Sequence, residues 1–247
     1  MISQELIKKI ASQNKTADFP NIVREYFQHL FLSELYRLSG AENLLFKGGT
    51  ALRIIYGSPR FSEDLDFTLI GVEGYRKKEF AESLFLSVLT EIEKIGIKVE
   101  INRKSDETRE GYFGDANYQV YDYPETSVSI NISSREGKDI KGEIDSIAND
   151  FIPTYNILHL SKNVLVEEKI TAAITRAKPR DFYDVYFILR KNLLATENKK
   201  ILPDILDKLN NTDINFTQEL GIFLPKDQQQ IVKDFKNILT SEIKRYI

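Results

Sequence analysis

Two aspartates at alternate positions are the residues of this sequence whose spacing most directly suggests chemistry. Asp64 and Asp66 belong to the run Asp-Leu-Asp-Phe-Thr-Leu, in which polar and apolar side chains alternate as they do in a half-buried strand. Because side chains at positions i and i+2 of a strand share a face, the two carboxylates should project together and repel each other. A hard divalent cation relieves such repulsion by binding carboxylate oxygens. The pair is therefore a candidate site for a hard divalent cation.

A glycine pair stands shortly before these aspartates, where a short strand is expected to turn into a helix. Gly48 and Gly49 would let a phosphate approach the backbone amides at the start of that helix, and Thr50 could cap it. Taken alone, the glycines could form a plain turn and the aspartates could line a solvent-facing strand edge. Their closeness in the sequence favours a single arrangement, in which a phosphate-binding turn precedes a metal-binding strand.

A second charged group lies in the C-terminal half of the chain. The stretch from Lys169 to Arg180 contains four basic residues and no acidic one. Lys169 and Arg176 share a helical face, so they could meet one anionic ligand. Structural explanations also remain open: Lys169 could be a solvated lysine, Asp181 could cap a helix, and Asp184 could pair with Arg180 one turn back.

The elements that must position these residues follow from hydrophobic periodicity. The order is helices first, then an α/β middle, then a helical C-terminal half. Residues 135–160 give no clear pattern. The first forty residues are predicted to be helical, with one segment that opens at Phe19-Pro20 and closes at Ser39-Gly40. Helical spacing predicts further helices over 51–56, 74–96, 164–176, 180–190, 201–209 and 228–247, and alternation or short apolar runs predict strands over 44–46, 64–69, 97–102, 111–121 and 127–133.

Composition narrows the classes of function. The 247 residues, 42% hydrophobic and 29% charged, are typical of a globular chain with one large domain or two small ones. The absence of cysteine excludes thiol catalysis and disulfides, and two histidines make a histidine triad or a zinc site a poor expectation. No apolar run is long enough to span a bilayer, and the N-terminus is polar and acidic. We therefore predict a cytoplasmic protein with no membrane partner.

Four segments, taken in order, carry a resemblance to a known family. Lys47-Gly-Gly-Thr-Ala-Leu, Arg60-Phe-Ser-x-Asp-x-Asp-Phe67, Glu168-Lys169 and Lys178-Pro-Arg-Asp-x-Tyr-Asp184 resemble the motifs of the AbiEii/AbiGii toxin family of nucleotidyltransferase-like proteins. The likeness spans residues 40–190. Linked motifs in the expected order are specific, whereas any one of them would be weak.

The resemblance implies an α/β (α+β) fold of the DNA polymerase β nucleotidyltransferase type. A mixed sheet flanked by helices would occupy residues 1–160, and a helical region, residues 161–247, would complete the active-site cleft. The implied activity is Mg²⁺-dependent transfer of a nucleoside monophosphate from an NTP to an RNA acceptor, for which a tRNA 3′ end is one candidate. The implied role is the toxin of a type IV toxin–antitoxin or abortive-infection system, with a cognate antitoxin as partner.

The resemblance assigns roles to Gly48, Gly49, Thr50, Asp64, Asp66, Lys169 and Asp181, and our own interpretation of the neighbouring residues adds Lys47, Arg60 and Ser62. Lys47 and Arg60 would add positive charge to the phosphate site, and Ser62 would bond phosphate or orient Asp64. Asp181 would activate the acceptor hydroxyl or orient Lys169. The predicted catalytic residues are Asp64, Asp66, Lys169 and Asp181, with Mg²⁺ on Asp64 and Asp66, and the predicted nucleotide-binding residues are Lys47, Gly48, Gly49, Thr50, Arg60 and Ser62.

One position departs from the family pattern. Asn131 stands where many relatives carry a third carboxylate. An amide can ligate a metal through its oxygen, but it supplies no charge and is a poor base. Glu143 and Asp145 form another alternate acidic pair that could replace the missing carboxylate. Asn131 therefore keeps open a catalytically impaired nucleotide- or RNA-binding protein. A different Asp-x-Asp enzyme acting on sugar nucleotides is a further alternative, although its motif does not need the Gly-Gly-Thr turn.

The charge balance limits how RNA could bind. The net charge is −3, so contact with RNA would need a local basic rim rather than a broad positive field. A single-stranded 3′ end entering a pocket needs few phosphate contacts, so a small rim would suffice. The candidates for this rim are Arg176, Lys178 and Arg180, with Lys233, Lys236, Lys244 and Arg245 as additions.

Overall fold

A computed structural model describes residues 1–72, 74–102, 111–134 and 140–247 of the chain. The chain forms two compact units. The first contains Met1–Tyr56 and Phe61–Leu160, and the second contains Gly57–Arg60 and Ser161–Ile247. A four-residue segment near the glycine turn in sequence thus belongs to the second unit. The division of function predicted for residues 1–160 and 161–247 stays a prediction.

The first unit is built on a seven-stranded sheet whose order is β3-β4-β5-β2-β1-β7-β6. Strand β2, which carries the aspartate pair, lies at the centre, parallel to β5 and antiparallel to β1. Strands β1 and β7 are also parallel, and the remaining neighbours are antiparallel. The strands are β1 Leu44–Lys47, β2 Asp64–Leu69, β3 Lys98–Asn102, β4 Gly111–Gln119, β5 Thr126–Ser134, β6 Gly142–Ile147 and β7 Tyr155–Leu160.

Alternation along β2 gives the sheet two chemically different faces. Leu65 and Phe67 are fully buried, whereas Asp64 and Asp66 are half-buried. The apolar face packs against helices, with the ring of Phe67 lying 6.2 Å from that of Phe85. The polar face carries the aspartates. The helices of this unit are α1 Gln4–Gln13, α2 Val23–Leu35, α3 Gly48–Tyr56 and α4 Lys77–Lys94.

The second unit is helical and has its own aromatic core. The ring of Phe235 lies 4.9 Å from that of Phe216 and 5.8 Å from that of Tyr183, and all three residues are buried. None of the helices formed by the described residues is both long and apolar enough to cross a membrane. The helices are α5 Lys162–Thr175, α6 Pro179–Arg190, α7 Leu202–Asn211, α8 Phe216–Leu220, α9 Gln229–Lys233 and α10 Phe235–Ile243.

The predicted fold class, a mixed α/β sheet flanked by helices with a helical C-terminal region, is confirmed. Three local predictions need correction. Strands β6 and β7 lie in the stretch 135–160 that gave no pattern. Strand β6 is an edge strand whose residues are almost all exposed, so hydrophobic alternation does not mark it. The single helix predicted over 228–247 is divided into α9 and α10. Helix α3 begins at Gly48 rather than at residue 51.

Candidate functional site

The aspartate pair lies on the polar face of the sheet, as the alternation predicts. Asp66 is aligned with Lys47 of β1 on one side and with Asn131 of β5 on the other. Asp64 is aligned with Ser129 of β5. Residues at matched positions of neighbouring strands project from the same face. The central strand therefore presents two carboxylates between a basic side chain and two neutral polar ones.

The glycine turn touches this carboxylate pair directly. Gly48 has a φ of +86°, and a Cβ atom at this position would lie 2.1 Å from Oδ2 of Asp66. Only glycine combines this backbone angle with so close an approach. Thr50 is buried, and its Oγ1 donates to the backbone carbonyl of Asp64 at 2.5 Å. The turn and the metal-binding strand predicted from the sequence thus form one contiguous structure.

The side chain of Asn131 contacts the same aspartate from the other strand. Its Nδ2 donates to Oδ1 of Asp66 at 2.9 Å. Two residues earlier on β5, Ser129 donates to Oδ1 of Asp115, a buried residue of β4, at 2.7 Å. Asp115 thus adds a carboxylate to this face that sequence reasoning missed. It stands between Gly114 and Ala116 in the sequence, so no paired acid drew attention to it.

The remaining predicted phosphate-binding residues of the first unit flank this face. The Lys47 ammonium donates to Oγ of Ser133 at 2.8 Å, so its side chain extends across β2, which lies between β1 and β5. The backbone carbonyl of Ser62 accepts from Nε2 of the buried Gln28 at 3.0 Å. Helix α2 therefore holds the loop that leads into the aspartate strand.

The donor chemistry of this face fits Mg²⁺. Asp64 and Asp66 supply carboxylate oxygens, hard ligands of the kind that Mg²⁺ accepts, while the amide nitrogen of Asn131 is directed at Asp66. Among the described residues, no group of three or more His, Cys, Asp or Glu side chains could hold a metal ion. A cation bound here would therefore rely on two carboxylates and complete its coordination with water and substrate phosphates, which suits Mg²⁺.

Glu143 and Asp145 do not replace the missing third carboxylate. Glu143 is aligned with His159, which is aligned with Phe46. Lys47 is aligned with Asp66 and shares its face, and Phe46, the residue before Lys47 in β1, therefore lies on the opposite face. Glu143 and His159, which are aligned with Phe46, lie on that opposite face as well. Asp145 instead approaches Nε2 of the fully buried His159 at 3.1 Å.

The second predicted group forms a buried ion cluster in the helical unit. The carboxylate of Asp184 accepts from Nε and Nη2 of Arg60 at 3.0 and 2.9 Å. It also accepts from Nζ of Lys169 at 2.7 Å. Burial opposes ionisation of Asp184, but the charges and hydrogen bonds of Arg60 and Lys169 outweigh it, so its pKa lies below the usual value. Lys169 is therefore held by an aspartate that was not among the predicted site residues.

Asp181 has a different environment. It is buried, its Oδ2 accepts from the backbone N–H of Lys178 at 3.2 Å, and its Oδ1 accepts from Nη2 of Arg176 at 2.6 Å. The bond to Lys178 is the N-terminal cap of α6. Arg180, the partner that spacing suggested for Asp184, bonds Glu219 at 2.9 Å instead. The structure thus brings Lys169 together with Asp184 rather than with Asp181.

The predicted basic rim is partly neutralised within the second unit. Arg176 pairs with Asp181, Arg180 with Glu219, and Arg245 with Glu242. The ammonium of Lys236 donates to the backbone carbonyl of Asn210 at 3.2 Å. These contacts leave the rim weaker than its composition suggests. The convergence of Lys169 and Asp181 with the aspartate pair on one cleft stays a prediction.

Comparison with known proteins places the chain in a family. Residues 30–244 match the family described as "Nucleotidyl transferase AbiEii toxin, Type IV TA system". A candidate nucleotidyltransferase from Helicobacter pylori has a TM-score of 0.61 and 18% identity, covering 93% of this chain and 98% of its own. JHP933 from Helicobacter pylori has a TM-score of 0.60 and 17% identity, covering 99% and 96%. No curated protein matches the sequence.

These likenesses carry different weight. The two solved structures share the fold with this chain, and at this identity they establish nothing further. The family match spans most of the sequence and includes both the aspartate strand and the Lys169 helix. The chain therefore belongs to the AbiEii family of nucleotidyltransferase toxins of type IV toxin–antitoxin systems.

Proposed function

We propose that this protein is a Mg²⁺-dependent nucleotidyltransferase that transfers a nucleoside monophosphate from an NTP to an RNA acceptor, and that it acts as a toxin restrained by a cognate antitoxin. The observation that carries the proposal is the direct contact between the Gly48 turn and the carboxylate of Asp66. A turn suited to phosphate and a carboxylate suited to a cation meet there, which is the arrangement that a metal-bound triphosphate requires.

Asp64 and Asp66 hold the cation in this proposal, and the Gly48–Gly49 backbone receives the β- and γ-phosphates. Bound Mg²⁺ would neutralise the charge of the phosphates and of the leaving pyrophosphate. Lys47 would add positive charge on the same face. Thr50 bonds the backbone of Asp64, so we assign it to holding the turn against β2 rather than to contact with phosphate.

The roles in the helical unit are revised on the basis of its contacts. Lys169 keeps its proposed role of stabilising charge on the transferred phosphoryl group or on pyrophosphate. We assign the positioning of Lys169 to Asp184, which its ammonium contacts at 2.7 Å. Arg60 is buried against the same carboxylate, so it supports Asp184 rather than binding phosphate. Asp181 caps α6 and has a structural role.

The RNA acceptor is the least constrained part of the proposal. Arg176 and Arg180 are already paired with acids, so an incoming phosphate would have to compete for them. Lys178 is exposed at the start of α6 and remains the best single candidate for an RNA contact. A 3′ end bound through so few contacts should show only a shallow dependence of affinity on salt.

Radiolabel transfer tests the proposal. The protein is incubated with Mg²⁺, each α-³²P-labelled NTP in turn, and total tRNA, and the RNA is then separated on a denaturing gel. We expect label on RNA with at least one nucleotide, lost when EDTA is added or when Asp66→Asn replaces the wild type. Transfer that survives both changes would refute the role of the aspartate face.

A catalytically impaired nucleotide-binding protein is the second candidate, and Asn131 is the observation that favours it. An amide next to Asp66 supplies no base for the acceptor hydroxyl. The same preparation distinguishes the two. Nucleotide binding that depends on Mg²⁺, with no label on any RNA and no release of pyrophosphate, would favour the binding protein over the enzyme.

A further inference from the structure

The bond between Asn131 and Asp66 has a fixed direction that follows from chemistry alone. An ionised carboxylate can only accept hydrogen bonds, so the amide must present its nitrogen to Oδ1 of Asp66, as the 2.9 Å contact from Nδ2 shows. The amide oxygen of Asn131 then faces away from that carboxylate. The interaction leaves the negative charge of Asp66 in place, because the donor is neutral.

The other oxygen of the same carboxylate is confined as well. Oδ2 of Asp66 occupies the space where a Cβ atom of residue 48 would stand, at 2.1 Å from that position. Asn131 thus fixes one oxygen and the Gly48 backbone limits the other. The orientation of Asp66 is therefore set before any cation or nucleotide binds, which reduces the reorganisation that binding requires.

The neutral amide also sets the charge of the face. The next carboxylate on this face, Asp115, lies one strand beyond β5 and accepts a hydrogen bond from Ser129. Within the described parts of the chain, no three His, Cys, Asp or Glu side chains come close enough together to hold a cation. The charge available to a cation at Asp64 and Asp66 is therefore that of two carboxylates.

From these contacts we infer that Asn131 is a positioning residue that orients Asp66 and limits the face to one divalent cation. The inference rests on the proposed function for the identity of that cation. A third carboxylate at position 131 would face Asp66 at hydrogen-bonding distance, where two negative charges repel. Such a site would be less stable without a cation and would bind one more tightly, and it could accommodate a second.

The test uses the full-length protein and Mn²⁺ as the probe, measured by electron paramagnetic resonance in the presence of a non-hydrolysable NTP analogue. We expect the wild type to bind one Mn²⁺ per chain. Asn131→Asp should bind Mn²⁺ at least about tenfold more tightly, because it adds a full ligand charge. Its melting temperature in EDTA should fall by about 3–6 °C relative to the wild type and recover when Mn²⁺ is added.

Two further variants separate positioning from charge. Asn131→Leu removes the donor without adding charge, so it should weaken Mn²⁺ binding while changing the melting temperature less than Asn131→Asp does in EDTA. Ser129→Ala is the matched control, because Ser129 lies on the same face of the same strand but bonds Asp115 instead of Asp66. It should leave Mn²⁺ affinity unchanged.

The outcomes distinguish the inference from the proposed function. Two Mn²⁺ ions bound by the wild type, or an Asn131→Asp variant with wild-type affinity and wild-type melting temperature in EDTA, would overturn the inference. Failure of the wild type to bind Mn²⁺ and nucleotide would count against the proposed function. In that case the EDTA melting comparison still decides whether Asn131 faces and orients Asp66.

Discussion

Asp66 in the sheet and Asp184 in the helical unit are both aspartates with two neighbours, but the neighbours differ in charge. Asp66 meets the neutral amide of Asn131 and the backbone of Gly48, so its negative charge is uncompensated by these contacts. Asp184 meets Arg60 and Lys169, so its charge is more than balanced. The first environment leaves a carboxylate whose charge these neighbours do not neutralise, as the proposed cation site requires. The second uses a carboxylate to hold cations that the chain already supplies.

The largest effect should come from removing the charge of Asp66. We expect Asp66→Asn to lower nucleotidyl transfer by about 100-fold or more, because a ligand charge for the cation is lost. The fold should persist, since Asp66 is only half-buried. Initial rates of label transfer, together with a melting curve, measure both.

Asp145→Asn is the control for this prediction. Asp145 is an exposed acid of the same sheet on the opposite face, and it should be dispensable for transfer. Equal losses in the two variants would mean that the face carrying Asp66 is not the one that matters.

Removing the charge of Asp184 should instead affect stability most. Asp184→Asn removes the carboxylate charge that both buried cations contact, and breaking such a pair costs about 3–5 kcal/mol of unfolding free energy. Because the pKa of Asp184 is lowered, its contribution is present above its ordinary value of 3.8 and disappears as the pH falls through the lower value of the folded state. Urea denaturation at pH 7 and at pH 3 measures both effects.

Glu219→Gln provides the matched control. It removes the acid of the Arg180 pair, whose side chains are each 33% exposed, and should cost less than about 1 kcal/mol. A loss of similar size for Asp184→Asn would show that its cluster is no stronger than a surface pair, and the contrast with Asp66 would fail.

A comparison of two glycines tests whether the Gly48 turn contacts Asp66. Gly48→Ala introduces a Cβ that collides with the carboxylate, so we expect a loss of about 1–3 kcal/mol of stability together with reduced transfer activity. Gly57 has a similar positive φ of +74°, but nothing lies within 4 Å of the position that a Cβ would take in Gly57→Ala. It should show the backbone cost alone. Similar activity in the two variants would contradict the contact between the turn and Asp66.

The last effect concerns a buried histidine that stays uncharged in the folded protein at neutral pH. Burial, with the nearby Arg53 charge, lowers the pKa of His29 to about 3, and its Nδ1 lies 2.8 Å from the hydroxyl of Tyr155. The unfolded chain takes up a proton below about pH 6.5 whereas the folded protein does not, so stability should fall by about 2 kcal/mol between pH 7 and pH 5.

His29→Gln removes this titration and should flatten the pH dependence by that amount, as measured by urea denaturation at the two pH values. The glutamine side chain can still hydrogen-bond Tyr155, which limits the loss at pH 7. An unchanged slope between pH 7 and pH 5 would mean that His29 is protonated in the folded protein.

Sequence patterns predicted the parts of the site that depend on local geometry. Alternation was enough to place Asp64 and Asp66 on one face, and closeness in the sequence was enough to connect them with the glycine turn. The face of Asp145 could not be predicted, because it depends on the register of β6 against β7. The partner of Asp184 could not be predicted either, because Arg60 lies 124 residues before it, whereas helical spacing pointed to Arg180, which bonds Glu219.

The assignment of Gly57–Arg60 to the second unit has a consequence for how this protein can evolve. A gene segment encoding residues 161–247 does not encode the whole second unit, because Arg60, which pairs with the buried Asp184, lies outside that segment. Recombination that exchanges C-terminal halves between relatives would succeed only if the incoming half keeps an acid at the place of Asp184. A mismatched chimera would lack the carboxylate that accepts two hydrogen bonds from the buried guanidinium of Arg60. Positions 60 and 184 should therefore be inherited together.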